Sequence, residues 1–285
     1  MKNVILQAGK WRAEILPSFG CDLTGLWYGE APVLRPAQPH SLLKTDSPFL
    51  YGSPLLFPPN RTDGGRFVFD GKTYLLPVNE PERNNHLHGL LYDAPFRTLR
   101  QSGQELLCQY HSRGRRYPFP FSLTMHWQMT EKGLQLSAAL RNDGGRDMPA
   151  VLGFHTTFAA PPSFSVPIGL RWERDERLLP TGKLLPLTPG EEQIRKGCSA
   201  QGWPLSGYYT AAGHAARIGA YEMRTSPEFT QWVLFNGGGT DGFVCVEPQT
   251  GCVNGLNRMG GCRVLPAHAE ETYRLFWGLA GTDNA

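Results

Sequence analysis

Four segments of this 285-residue chain set proton-transferring or hydrogen-bonding side chains into otherwise apolar sequence. In Phe243-Val244-Cys245-Val246-Glu247-Pro248-Gln249-Thr250, Glu247 closes an apolar run that reads as a strand buried on at least one face. A carboxylate at the end of such a strand loses hydration, which raises its pKa and suits it to taking or giving a proton. An ordinary solvated glutamate at a strand terminus is the alternative. In Val151-Leu152-Gly153-Phe154-His155-Thr156-Thr157-Phe158, His155 sits within a nearly continuous apolar run, at an expected strand end. A lone histidine in such sequence is more often a satisfied core residue, so it gains weight only beside other groups.

The other two segments bring nitrogen donors. In Asn84-Asn85-His86-Leu87-His88-Gly89-Leu90, His86 and His88 at i and i+2 of an extended segment point the same way. They could share a metal, or one imidazole could enter a cleft while the other supports it. Gly89 would let a ligand approach the backbone closely. In Pro54-Leu55-Leu56-Phe57-Pro58-Pro59-Asn60-Arg61, a proline-stiffened stretch would hold the planar Arg61 guanidinium against substrate oxygens. Taken alone, Arg61 is an ordinary surface arginine.

Other chemistries find little support. Gly237-Gly238-Gly239 lacks the Lys-Ser/Thr and helix of a phosphate loop, and no Gly-x-Ser-x-Gly elbow occurs. The six cysteines form no C-x-x-C pair, and free thiols in a reducing cytoplasm are their simplest interpretation. No apolar run is long enough for a secretory signal or a bilayer span, so no membrane partner is expected. The net charge of +3 is not gathered into blocks, and the Arg113–Arg116 cluster reads as a solvated turn. Nucleic acid is therefore not an expected partner.

The elements that must position these groups read as strands. Gly 33 and Pro 24 punctuate the chain heavily, which breaks helices and frames short strands. Strands are expected at 4–6, 11–16, 22–28, 106–110, 122–129, 134–140, 168–172, 216–220, 232–235, 243–246 and 272–277. Phe121, Leu123, Met125 and Trp127 alternate with Ser122, Thr124, His126 and Gln128, which puts His126 on the polar face. Asp70-Gly71 between β-rich arms predicts a type I′ hairpin over Arg66–Leu76. Helical potential is confined to a turn around Asn254–Arg258. The fold class expected is all-β, one large antiparallel β-sandwich spanning residues 1–285 as a single domain, with two packed domains the alternative.

The order of motifs resembles a family. Asn60-Arg61, His86-Leu87-His88-Gly89, Gly153-Phe154-His155-x-x-Phe158 and Glu247-Pro248-x-Thr250 with a later asparagine look like aldose 1-epimerases, the galactose mutarotase-like proteins. Gly65-Arg66-Phe67-x-Phe69-x-Gly71-x-x-Tyr74-x-Leu76-Pro77-x-Asn79-Glu80 resembles that family's segment between the arginine and the first histidine. The resemblance runs from about Pro54 through Asn257. It implies a galactose mutarotase-like supersandwich with a sugar cleft on one concave face. Residue by residue, it implies Glu247 as general base, His155 as general acid, and His88 and Arg61 as binders of sugar oxygens, with no cofactor and no metal. His86 would flank and support the site.

The sequence also departs from the family. Many members carry a sugar-binding aspartate between the second histidine and the glutamate, and Trp203–Thr210 has none. Asp241 reads as a turn residue. The expected activity is anomer interconversion of an aldose of unknown identity in the cytoplasm. The rivals are a non-catalytic sugar-binding or regulatory protein on the same fold, and a metal-dependent cupin-type enzyme using His86, His88 and a later histidine.

Overall fold

Alternation of apolar and polar side chains becomes registered pairing along most of the chain. In a computed structural model, which describes residues 2–281, the strand Pro120–Thr130 pairs antiparallel with Glu105–Arg113 and Gly133–Asn142. Phe121, Leu123, Met125 and Trp127 all point into the core, whereas His126 is half-buried beside Glu105. Glu270–Leu279 continues the sheet beyond Gly133–Asn142, and Tyr221–Thr225, Ala215–Ile218 and Phe164–Ser165 follow it.

A second sheet carries the candidate site. Its order is Pro180–Leu185, Ile168–Arg174, Ser206–Ala211, Gln231–Phe235, Phe243–Gln249, Gly153–Phe154, then Leu55–Leu56. Thr157–Ala159 also pairs with Phe243–Gln249. One face of this sheet supplies Tyr209, Trp232, Leu234, Val244 and Val246 to the core, which they share with Trp127, Tyr273 and Trp277 of the first sheet. Phe229 bridges the two layers, with ring centroids 6.4 Å from Phe154 and 6.1 Å from Tyr273. Burial of each such side chain contributes roughly 1.5–3 kcal/mol, so the fold is an antiparallel β-sandwich stabilised chiefly by its interlayer core. An N-terminal sheet of Val4–Ala8, Trp11–Leu16, Asp22–Tyr28 and Ala31–Pro32 packs into the same cluster.

The Arg66–Phe69 and Lys72–Leu75 arms form the expected hairpin, with Asp70 at φ +49° and Gly71 at φ +69°. Those two positive φ values are what a type I′ turn requires.

Three local expectations need correction. Glu247 does not end its strand, which continues to Gln249; the proline at 248 is accommodated opposite Trp232. Helix is not confined to the 254–258 region, where a 3₁₀ turn covers Gly255–Asn257. Pro189–Lys196 is also helical, started by a capping box in which Thr188 accepts from the Glu191 N–H and Glu191 accepts from the Thr188 N–H. A one-turn helix at Leu42–Thr45 was likewise unforeseen. Finally, His88 has φ +64°, so the backbone leaves the extended alternation that would aim it with His86.

Candidate active site

The face of the second sheet opposite its core forms the floor of a cavity. Tyr208 is registered with Val233, and Val233 with Glu247, so three neighbouring strands place these side chains in one row. The period of two sends Tyr209, Leu234 and Val246 the other way. Space above this row amounts to about 300 Å³, lined also by Asn60, Arg61, Arg83, His88 and His155. That volume suits a ligand of monosaccharide size.

His155 follows the short Gly153–Phe154 strand, and its backbone is held on both sides of the ring. Its N–H donates to the Pro54 carbonyl at 3.0 Å, and the next carbonyl, of Thr156, accepts from the Val246 N–H at 2.9 Å. The imidazole Nε2 consequently lies 3.3 Å from Glu247 Oε1, with both side chains nearly inaccessible to bulk solvent. Burial pushes the Glu247 carboxyl up to about 8, with Gln249 and Arg61 drawing it back only in part. Burial pulls His155 down to about 3, opposed weakly by its own carbonyl. At neutral pH the pair therefore rests as carboxylic acid and neutral imidazole. This is the same proton count as carboxylate plus imidazolium.

Arg61 and His88 come from a second framework. Arg61–Asp63 pairs antiparallel with Asn85–Leu87, and the His88 N–H donates to the Asn60 carbonyl at 2.9 Å. The His88 ring meets the His155 ring edge-on at 5.2 Å between centroids, and Phe49 covers the His88 ring at 4.4 Å. Desolvation above all, with the neighbouring His155 and Arg61 adding to it, holds His88 far below the usual imidazole range. It is a neutral hydrogen-bonding group, and its Nδ1 is buried without a partner.

The Arg61 guanidinium is fixed by residues to which sequence reasoning assigned no role. Nε and Nη2 donate to the two Glu80 oxygens at 2.8 and 2.7 Å, and Nη1 donates to the Tyr208 hydroxyl at 2.7 Å. Asn85 adds a hydrogen bond to Glu80 at 3.0 Å. Although burial would raise Glu80, Arg61 and Asn85 outweigh it and leave the carboxyl lowered. Burial would likewise lower Arg61, and Glu80 and Tyr208 reverse that effect. Tyr208 accepts from Arg61 and keeps its own hydrogen to donate toward the cavity.

The structure thus brings Glu247, His155, His88 and Arg61 to one cavity and leaves His86 out of it. His86 Nδ1 is 2.7 Å from the Pro77 carbonyl, a supporting contact that ties it to the loop before Asn85–Leu87. Gly89 does answer a need for close approach, but to protein: a Cβ there would stand 2.1 Å from the Phe57 carbonyl oxygen. Asp241 accepts from the Gly238 N–H within its own turn and does not line the cavity. Tyr208 could have been found from the alternation in Tyr208-Tyr209, since one of two adjacent strand residues must face away from the core. Glu80 carried no comparable local signal.

Among the described residues, no helix is long and apolar enough to cross a membrane. Residues 3–275 match the aldose 1-epimerase family. Uncharacterized protein YphB of Escherichia coli (strain K12) is 25% identical over 269 residues, covering 89% of this chain and 90% of that protein. A galactose mutarotase-like protein from Clostridium acetobutylicum superposes with TM-score 0.86 at 22% identity, covering 96% of this chain and 93% of its own. The GalM/aldose epimerase homologue from C. elegans gives TM-score 0.83 at 14% identity and 99% coverage of both chains. These likenesses establish the galactose mutarotase-like sandwich fold, and the match across residues 3–275 establishes that the chain belongs to the aldose 1-epimerase family.

Proposed function

We propose that this chain is a single-domain, cofactor-independent mutarotase that interconverts the α and β anomers of an aldose, with Glu247 and His155 as its acid–base pair. The observation that carries this reading is the 3.3 Å approach of His155 Nε2 to Glu247 Oε1 at the floor of a sugar-sized cavity. A buried carboxyl and a buried imidazole both cost stability, and a protein that merely held a sugar would gain nothing from keeping them in contact.

In the productive state the pair's proton rests on His155. The Glu247 carboxylate accepts the proton of the C1 hydroxyl while the His155 imidazolium protonates the ring oxygen. The C1–O5 bond breaks, C1–O1 becomes a carbonyl, and the pair returns to its neutral resting form. Rotation about C1–C2 presents the other carbonyl face. Closure reverses every transfer: O5 attacks C1 and gives its proton to His155, and Glu247 protonates O1. No electrons leave the sugar, so proton transfer and positioning suffice. His88, kept neutral, donates a hydrogen bond near the ring oxygen, and Arg61 orients sugar oxygens from the side fixed by Glu80 and Tyr208. A cytoplasmic site of action accords with the thiols of all six cysteines being free.

The test is an NMR exchange screen of α/β interconversion over a panel of aldoses, with Glu247→Gln and His155→Asn as controls. The expected result is catalysed exchange that each variant nearly abolishes while binding persists. Wild-type rates in either variant would remove that residue from the mechanism.

A further inference from the structure

The polar character of the cavity changes with depth. Glu247, His155 and His88 lie at the buried end, whereas Arg83 and Ser206 occupy the exposed rim. Next to these lining residues, rather than among them, stands Arg174, whose guanidinium lies 4.9 Å from the centre of the Tyr208 ring. It is held there by hydrogen bonds to the Ser206 carbonyl at 2.8 Å and the Ser206 hydroxyl at 3.2 Å. Arg83 contacts Glu80 at 3.2 Å and the exposed Glu82 at 3.3 Å. Glu80 already accepts both arms of the Arg61 fork, so its single charge is shared between two guanidinium groups.

Among the described residues that line the cavity, Glu247 is the one carboxylate. The carboxylates beside the rim, Glu80 and Glu82, are already paired with arginines, so the end remote from Glu247 offers more donors than free acceptors. Guanidinium groups offer five N–H donors and no acceptor. A neutral sugar presents hydroxyls that must both donate and accept, and it would leave such a rim unmatched. An oxyanion accepts only, and planar guanidinium groups match carboxylate and phosphate geometry.

We propose that the substrate is an aldose carrying an anionic group, a carboxylate or a phosphate, at the end of the sugar remote from the anomeric carbon, received by Arg83 and Arg174. This deepens the mutarotase reading and rests on it for the orientation of the sugar. The anionic end faces the rim, and C1 reaches Glu247 and His155. Ser206 and the stacked Tyr208 ring hold Arg174 in place, so its fork is presented with little loss of side-chain freedom. The cost of dehydrating an anion is limited because the rim is open to solvent.

The experiment compares binding and exchange on matched sugars: glucose and galactose, their uronates, and glucose 6-phosphate. Binding is measured by titration calorimetry and anomer exchange by NMR, on the full chain. At low ionic strength the anionic sugars should bind at least tenfold more tightly than their neutral parents. Added salt should narrow the gap. The uronate and phosphate arms identify which oxyanion fits. Arg83→Gln and Arg174→Gln, singly and together, should reduce the ratio of anionic to neutral affinity at least fivefold, with circular dichroism confirming the fold. Equal affinity for neutral and anionic sugars, or an undiminished ratio in the double variant, overturns the inference. The mutarotase reading fails separately: anionic preference in binding without exchange of any sugar refutes it and upholds the anion-receiving rim alone. Exchange without that preference does the reverse.

Discussion

His155 Nε2 and Glu247 Oε1 stand 3.3 Å apart, and their environments drive the two pKa values in opposite directions, to about 3 and about 8. Between those limits the pair holds one proton, which ring opening shifts from His155 to Glu247 by way of the sugar and ring closure shifts back. Above about 8 that proton is lost, leaving a base with no acid. We therefore expect kcat/KM to be level from pH 5 to 7 and to fall toward tenfold per pH unit well above 8, as the free-enzyme pair titrates. Exchange NMR across pH 5–10 checks this, with pre-incubation controls for unfolding. A rate that rises through pH 8 after correction for uncatalysed mutarotation would contradict the assignment.

Glu247→Gln separates catalysis from stability. Loss of the carboxylate should lower kcat by roughly 10²–10⁴-fold, the usual contribution of a positioned proton-transfer group. Folding responds with the opposite sign at high pH. The folded carboxyl titrates near 8 and the unfolded one near 4.5, so the folded state holds the extra proton between those values. Its contribution is fully present below 4.5 and is lost as pH rises through about 8. The glutamine variant has no such dependence. Relative to wild type it should gain on the order of 1–4 kcal/mol between pH 5 and pH 9. Urea unfolding at both values measures the difference, and parallel pH dependence in the two proteins would refute a buried, proton-retaining Glu247.

Strands were legible where apolar and polar residues alternate over several positions, as in Trp11–Leu16 and Pro120–Thr130, whereas Ser206–Ala211 and Tyr221–Thr225, which lack a sustained alternation, were not expected. Asp70-Gly71 was legible because few dipeptides tolerate two positive φ values. The four candidate site residues could be gathered only by the order of their motifs, since no local rule brings Arg61 to Glu247. Glu80 stayed hidden for the same reason, meeting Arg61 through a 3₁₀ turn and the pairing of Arg61–Asp63 with Asn85–Leu87. The helix at Pro189–Lys196 is different. Thr188-Pro189-x-Glu191 is a local starting signal that the surrounding prolines obscured.

Glu80→Gln should test whether Arg61 is held or merely present. The change keeps the shape of the side chain but removes the charge that the guanidinium faces through two hydrogen bonds. Breaking a largely buried pair from one side leaves an uncompensated cation, and a loss of roughly 1–3 kcal/mol is expected at neutral pH. Because folding lowers the Glu80 pKa, the pair's contribution is present above the unfolded carboxyl value and fades as pH falls through the folded one. The wild-type advantage should thus shrink in acid. KM should rise severalfold, and the alkaline limb of kcat/KM should shift only slightly toward acid, because Arg61 already draws the Glu247 carboxyl down and loses its counter-charge. A shift of that limb toward alkali would contradict this placement of Arg61.

Tyr208→Phe removes one hydroxyl and nothing else from the row Tyr208, Val233, Glu247. Arg61 Nη1 then loses its 2.7 Å acceptor and retains the Asn60 side-chain oxygen at 3.3 Å, a poorer contact. The aromatic ring remains to support Arg174, so the rim should keep its shape. A hydrogen bond to a charged group is worth about 1.5–3 kcal/mol, but water in the open cavity can replace this one in the free protein. The loss should therefore fall mainly on the bound state, raising KM by roughly 3- to 30-fold with less than about 1 kcal/mol change in unfolding free energy. Steady-state exchange kinetics beside urea titrations distinguish the cases. An unchanged KM would show that Tyr208 serves only to hold Arg61 and makes no contact of its own with the sugar.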